Sequence, residues 1–323
     1  MTLLDKKDLK ILFELDKNSR VSINELAKKT RLSRDIVAYR IKQLERNEII
    51  KKYISIIDFS KIGYQIVRLY LKLQNITPEI EEQIIDFFVK LKNILTVYKI
   101  DGYYDLAVGF LVKDLHTYQH DYERFLAKFR RYVKEKNFSV FLDYIHFHRN
   151  YLTDKEHYDL TSISTGSFLP FKYDKKDLEL LSLIKEDARI SLLDLAKRLK
   201  ITPNGVKYKL RNLEKNKVIV AYKLLFDSSK LGYEYYKVDL ELEDITIFPS
   251  LKQFIVQHPN IIYQDISVGG SDFEFDCELQ SQTEFYKLID NIKELANQKI
   301  RNFSYYKAIK IYKYSYFPES IIR

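Results

Sequence analysis

Shifted by 169 residues against itself, this sequence matches over 60 consecutive positions without a gap, Asp5 to Tyr64 on Asp174 to Tyr233, and 23 of those positions are identical. The identities include Asp5-Lys6-Lys7-Asp8-Leu9 with Asp174-Lys175-Lys176-Asp177-Leu178, Leu26-Ala27-Lys28 with Leu195-Ala196-Lys197, Leu44-Glu45 with Leu213-Glu214, and Gly63-Tyr64 with Gly232-Tyr233. Chance does not produce this, so the chain is a duplication and folds as two related units. Its 323 residues suit two to four domains, each large enough to bury a core.

The charge follows the repeat. Residues 1–64 carry 15 basic and 9 acidic side chains, and 170–233 carry 15 and 8. The intervening 65–169 balance at 14 and 14, and 234–323 are acidic at 10 and 14. The whole positive excess therefore sits in the repeated modules, which permits a nucleic-acid partner there without demanding one. With 46% hydrophobic and 31% charged residues the chain is not disordered, and no apolar run approaches the ~18 residues of a membrane span. The segment Met1-Thr2-Leu3-Leu4-Asp5-Lys6-Lys7 lacks the pattern of a secretion signal, so a cytoplasmic protein without membrane partners is expected. The single cysteine, Cys277, excludes an internal disulfide framework and a Cys-rich zinc site.

Each repeated module reads as helix, short helix, turn, helix, the order that reads DNA. Leu9, Leu12, Phe13 and Leu15 recur at helical spacing. Ser22 with Glu25, and Ser191 with Asp194, have the spacing of a capping box before the second helix. Ser33 caps a third helix with the apolar stripe Val37, Ile41 and Leu44; in copy two Thr202 is the cap, Pro203 the first helical residue, and Val206, Leu210 and Leu213 the stripe. The helix is expected to end near Asn47 or Asn216 in a left-handed cap, with Ile49–Asp58 and Val218–Asp227 each forming a two-stranded wing. With the stripe buried, the candidate DNA-binding residues are Ser33, Arg34, Asp35, Ala38, Tyr39 and Lys42, and Thr202, Pro203, Asn204, Lys207, Tyr208 and Arg211. Arg and Asn can make bidentate contacts to base edges, while Lys, Tyr and helix N-termini hold phosphates. The plainer reading of any one cation is a solvated helix face; two copies agreeing in order, caps and charge weigh against it for the module.

These residues resemble the Lrp/AsnC, or feast/famine, family of prokaryotic regulators. The matching pattern is Leu4-Asp5, Asp8, Ile11-Leu12, Arg20, Ser22, Glu25-Leu26-Ala27, Leu32-Ser33, Val37, Arg40, Leu44-Glu45, Ile50, Tyr53 and Gly63, and the likeness covers each half nearly end to end. One departure is Glu48 and Lys217 where the family has Gly before the wing, so a differently shaped turn is expected. The resemblance implies an α+β chain of two winged helix-turn-helix domains alternating with two ferredoxin-like βαββαβ sensor domains whose sheets self-associate. The boundaries read as 1–64, 65–152, a linker over 153–171 containing Thr161-Ser162-Ile163-Ser164-Thr165-Gly166-Ser167, then 172–233 and 234–323.

Periodicity supports the sensor units: strands over 65–74, 94–110 (a hairpin turning near Asp101-Gly102) and 138–148, with helices over 78–91 and 115–133. The second unit repeats strands at 236–243, 261–268, 273–279 and 303–314. In the family the middle hairpin carries a Gly-x-x-Asp motif near an amino-acid effector, which the resemblance places at Gly102, Tyr104 and Asp105, and at Gly269, Gly270 and Asp272. A Gly-rich turn can offer backbone N–H groups to a carboxylate, and it can equally be a plain hairpin turn.

The first sensor strands differ in charge. Copy one presents Arg68, Tyr70, Lys72 and Gln74 where copy two presents Lys237, Asp239, Glu241 and Glu243, joined by Glu274, Asp276 and Glu278. Opposite faces attract, so an internal pseudo-dimer of the two halves is expected, reading an imperfect palindrome; the competing account has Lys307 and Lys310 neutralising copy two from within. His116 with His120, and His146 with His148, have metal-compatible spacing but no accompanying thiolate, and no metal or cofactor is assigned. Paired modules of this family also occur in siroheme decarboxylases, but the middle hairpins here, Tyr98-Lys99-Ile100-Asp101 and Tyr263-Gln264-Asp265-Ile266, lack the His, Arg and Asn expected of those enzymes. No enzymatic motif is found, and DNA compaction is the other alternative.

Overall fold

The computed structural model describes residues 4–166, 168–185, 187–315, 317 and 321. The first module contains α1 (Lys6–Lys17), α2 (Ile23–Thr30), α3 (Arg34–Arg46) and β1 (Ile50–Ile57). The first βαββαβ unit, the candidate sensor, follows as β2 (Gln65–Leu73), α4 (Pro78–Lys90), β3 (Ile94–Gly102), β4 (Leu106–Val112), α5 (Leu115–Phe129) and β5 (Val133–His146), with a short β6 (Ile163–Thr165) behind it. The second half runs α6 (Lys175–Ile184), α7 (Leu192–Leu199), α8 (Pro203–Lys215), β7 (Ile219–Phe226), β8 (Glu234–Leu242), α9 (Phe248–Gln257), β9 (Ile261–Val268), β10 (Phe273–Leu279), α10 (Gln282–Ala296) and β11 (Ile300–Tyr314).

Reciprocal capping boxes open α1 and α6. Asp5 accepts from the N–H groups of Lys7 and Asp8 while the Asp8 carboxylate accepts from the Asp5 N–H, and Asp174 and Asp177 repeat the exchange. Ser22 and Ser191 cap their helices by accepting from the N–H groups of Glu25 and Asp194; the Glu25 carboxylate turns to Lys29 at 3.4 Å, while that of Asp194 accepts from the Ser191 hydroxyl at 2.6 Å. Asn47 and Asn216 do not take the left-handed position. That conformation falls one residue later, on Glu48 (φ 53°) and Lys217 (φ 55°), so the turn keeps the shape a glycine would allow, without the glycine.

Neither module builds a two-stranded wing of its own. Between Ile50 and Ile57, and between Ile219 and Phe226, no Gly, Pro or Asn breaks the run, so each stays one strand. β1 and β7 pair antiparallel with each other instead, Tyr53 opposite Leu224 and Ser55 opposite Tyr222. This exchange completes both cores. Leu224 and Phe226 of β7 pack with Leu12, Val37 and Leu44 of the first module, and Ile57 packs with Leu181, Val206 and Leu213 of the second. Arg20 lies over the Tyr222 ring at 4.9 Å and Arg189 over Tyr53 at 4.0 Å, while those tyrosines donate to Glu214 and Glu45, each at 2.6 Å.

In each sensor unit the strands lie in the order last, first, third, second. β3 then pairs with β11 and β9 with β5, so the eight strands β2–β4–β3–β11–β8–β10–β9–β5 close on themselves through the β2–β5 ladder. Alternation explains what faces where. Val67, Leu69 and Leu71 of β2 look outward to Phe88 of α4 and Phe125 of α5, and Val238 and Leu240 of β8 pack likewise with Phe285 and Leu288 of α10. The intervening Arg68, Tyr70 and Lys237 line cavities on the other face, inside the ring. Two boundaries shift: α5 stops at Phe129, and β5 begins at Val133 because 133–137 continue the ladder with β2.

The linker is held to the first half. β6 pairs with β5, the Gly166 N–H donates to Asp58 at 3.1 Å, and the Phe171 N–H donates to the Lys61 carbonyl at 2.8 Å. A Cβ on Gly166 (φ 96°) would lie 1.8 Å from the Leu142 carbonyl oxygen, so this close pass requires glycine. Ser167 and Met1 to Leu3 lie outside the described residues.

Candidate nucleic-acid interface and effector sites

α3 and α8 present matching faces. Ser33, Arg34, Asp35, Tyr39 and Lys42 are exposed and Ala38 is half-buried; Thr202, Pro203, Asn204, Lys207, Tyr208 and Arg211 are all exposed. Tyr39 and Tyr208 occupy equivalent positions and stand 63% and 71% exposed. The Ser33 and Thr202 hydroxyls are spent as caps, accepting from Ile36 at 3.3 Å and Gly205 at 3.1 Å. Pro203 has no N–H, so α8 offers one backbone donor fewer than α3.

The cations on these helices fall into two groups. Arg40 is held by Asp5 and Asp8 at 2.9 and 2.8 Å, and Lys209 by Asp174 and Asp177 at 2.7 and 3.0 Å, pinning each third helix to its first. Among the described residues Arg34, Lys42, Lys207 and Arg211 enter no ion pair, which leaves them for a polyanion. Ile36, 44% exposed beside Arg34, was absent from the sequence-derived set. Its signal was its place one residue before the buried stripe, where an apolar side chain has no core to enter.

The effector candidates occupy the two middle hairpins. Asp105 accepts from the Leu73 N–H at 2.7 Å and from Lys72 at 3.1 Å, and Asp272 from the Leu242 N–H at 2.7 Å, so both carboxylates hold their turns to the neighbouring strand. A Cβ on Gly102 would meet the Tyr305 carbonyl oxygen at 2.4 Å, and one on Gly269 the Phe138 carbonyl oxygen at 2.9 Å; each glycine turn sits against a strand of the other half. Tyr104 and Gly270 do meet, in the wall of a cavity of about 230 Å³ shared with Asp239, Glu241, Ser271 and Glu274.

The expected charge contrast meets across the ring. Arg68 reaches Asp265 at 2.9 Å and Glu274 at 2.6 Å, and Lys237 reaches Glu274 at 3.0 Å and Asp276 at 3.4 Å. Lys72 and Gln74 stay within their own half, Glu243 pairs with Arg301, and Glu278 pairs with Arg149. Lys307 pairs with Glu234 and Lys310 lies over Tyr312, so the internal neutralisation considered from sequence does not involve Glu274 or Asp276. Burial pushes Glu274 up, but Lys237 and Arg68 outweigh it and hold the carboxyl at about 2. For Asp276 and Asp239 burial prevails over Lys237, lifting them to about 7 and about 6.

His116 and His120 stand exposed on α5, apart from His146 and His148, which are buried where β5 ends. Among the described residues no three His, Cys, Asp or Glu side chains gather as metal ligands, and no helix is long and apolar enough to cross a membrane.

Two modules of three helices, each presenting an exposed face on its third helix, define a helix-turn-helix protein. Residues 4–51 and 173–220 match the winged helix-turn-helix DNA-binding family. An uncharacterised HTH-type transcriptional regulator of Pyrococcus furiosus is 34% identical over 137 residues, 42% of this chain and 85% of that protein. LrpC of B. subtilis is 31% identical, covering 43% of this chain and 94% of its own, with a TM-score of 0.36 over this longer chain. The chain belongs to the Lrp/AsnC family of DNA-binding transcriptional regulators. Over its full length the fold is similar to that of the siroheme decarboxylase NirDL, with a TM-score of 0.64, 98% of this chain and 96% of that one covered, at 14% identity.

Proposed function

We propose that this protein is a sequence-specific regulator in which the two halves act as an internal pseudo-dimer, placing α3 and α8 on the two half-sites of an imperfect palindrome. The observation that carries the reading is the sorting of cations on those helices: Arg40 and Lys209 are bound inward, while Arg34, Lys42, Lys207 and Arg211 enter no ion pair among the described residues. The β1–β7 pairing and the ladders between the two ferredoxin-like units support a fixed pair of modules. Because the faces differ at Arg34/Pro203, Asp35/Asn204 and Ala38/Lys207, the half-sites should differ, set about one helical turn or a multiple apart. Ile36 adds an apolar contact suited to a thymine methyl in the first half-site only, since copy two has Gly205.

An amino-acid effector fits the cavity walled by Tyr104 and Gly270, its ammonium toward Asp239 and Glu241, with Asp105 and Asp272 holding the turns. A cytoplasmic location and further self-association through the sensor units complete the proposal. The siroheme decarboxylase of like fold has been seen with an iron-uroporphyrin III analogue. In this chain the ring interior sets four carboxylates, Asp239, Asp265, Glu274 and Asp276, against two cations, a poor site for a polycarboxylate and an argument against that enzymatic reading.

Binding-site selection from random duplex DNA at near-physiological salt tests the proposal. A split, unequal palindrome preferred by about a thousand-fold over scrambled competitor is expected. Arg34→Ala should cost about 1–3 kcal/mol and relax preference at one base, whereas Lys42→Ala should weaken all duplexes alike and flatten the salt slope. Uniform weak binding would favour DNA compaction.

A further inference from the structure

The ring interior holds a cavity of about 230 Å³ whose wall includes the rings of Tyr70, Tyr98, Phe141, Tyr144, Tyr235 and Tyr306 among aliphatic and small residues. Three buried polar residues in that wall have atoms without partners among the described residues: Oδ1 of Asp265, both ring nitrogens of His146, and Nε of Arg68, whose guanidinium lies over the Tyr70 and Phe141 rings. Asp265 spends its other oxygen on Arg68 and Lys237, which leaves Oδ1 a buried acceptor without a partner among the described residues. Leaving such an acceptor unmade is expensive, and a donor cation would relieve it. The wall itself sets Asp265 and Asp276 against Arg68 and Lys237, with Asp239 and Glu274 in the adjoining cavity adding carboxylates to the cluster, and tyrosine faces attract cations rather than anions.

We infer that the ring interior is a binding site for a small aromatic amine, its ammonium on Asp265 Oδ1 and a ring hydroxyl on His146, adjoining the amino-acid site proposed at the hairpins across Arg68, Tyr70 and Tyr306. The size suits it, since a cavity of about 150 Å³ already admits benzene and this one leaves room for a short side chain. Ser55, Ile56, Ile57 and Phe59, from β1 and the turn after it, close the same cavity. A bound amine therefore touches the strand that completes the second module's core as well as both sensor units. The inference does not depend on what the third helices read.

Calorimetric titration of the intact chain with tyramine, 4-hydroxyphenylacetate, 4-methylphenol and uroporphyrin decides it. Tyramine should bind at least about tenfold more tightly than the acid, with the neutral phenol between them. Asp265→Asn should remove that preference while leaving the phenol unaffected. Because Asp265 also anchors Arg68, Ala308→Leu serves as the second variant; it fills the cavity without touching a charge, and should abolish binding of both amine and phenol. The inference is overturned by equal binding of acid and amine, by tyramine binding that survives Ala308→Leu, by uroporphyrin binding in place of the amine, or by no heat from tyramine at about 1 mM.

Discussion

Lys217 shows how a single position carries backbone strain. A left-handed conformation costs an L-residue about 1–2 kcal/mol, and glycine avoids this while losing about 0.5–1 kcal/mol in chain entropy. Lys217→Gly is therefore expected to stabilise the protein by up to about 1 kcal/mol, read as a higher urea midpoint at unchanged slope. His146 carries a different liability. Burial, with Lys223 and Arg149 nearby, lowers its pKa to about 3 against the pull of Asp16, with His148 also facing it and the Tyr144 and Tyr263 rings against its edges. The unfolded chain takes up that proton near pH 6.5 and the folded chain does not, so this residue's contribution is lost as pH falls from 7. Asp276 and Asp239 act in the opposite sense, since their raised values let the folded state bind protons first. Comparing variant with parent isolates the histidine: between pH 7 and 5, His146→Phe should lose about 2 kcal/mol less stability than the parent in urea unfolding.

At the level of elements, the third helices were readable because caps, stripe and exposed face are local. Thr202, Pro203, Val206, Leu210 and Leu213 lie within about three turns of one helix, and period 3.6 separates core from surface. That legibility makes a prediction about recognition. Giving α8 the α3 face, with Pro203→Arg, Asn204→Asp and Lys207→Ala together, should move the selected site toward a symmetric palindrome; an unchanged asymmetric site would mean that α8 does not read bases. The wing was misread because β-strand pairing is not local. Nothing in Ile50 to Ile57 names its partner, and the hairpin expected inside each module is replaced by a ladder to residues 169 positions or so away in the repeat.

Across the whole molecule, Asp16 ties the parts together. It takes Arg149 at 2.9 Å and Lys223 at 3.1 Å, and Arg149 passes on to Glu278 at 2.8 Å, joining α1, the end of the first sensor unit, β7 and β10. Burial drives the Asp16 carboxyl up, and Lys223 and Arg149 more than reverse it, holding it at about 2. Removing it leaves the buried Lys223 without its carboxylate and beside Arg149, which keeps only Glu278. Asp16→Ala should cost about 3–5 kcal/mol and make thermal unfolding of the winged helices and sensor units separate, as seen by calorimetry.

The duplication, the helix-turn-helix order, the caps at Ser33 and Thr202, the strands of the βαββαβ units and the charge contrast between Arg68 and Glu274 were all legible in the sequence, because each rests on residues close in sequence or on side-chain type. Closure of eight strands into one ring, the exchange of β1 and β7 between cores, the use of Asp105 and Asp272 as turn anchors, and the unpartnered oxygen of Asp265 were not. Those depend on which distant backbone and side-chain groups come within hydrogen-bonding reach, and that is set by the packing of the whole chain, where a hydrogen bond or ion pair between residues 200 apart leaves no local pattern to read.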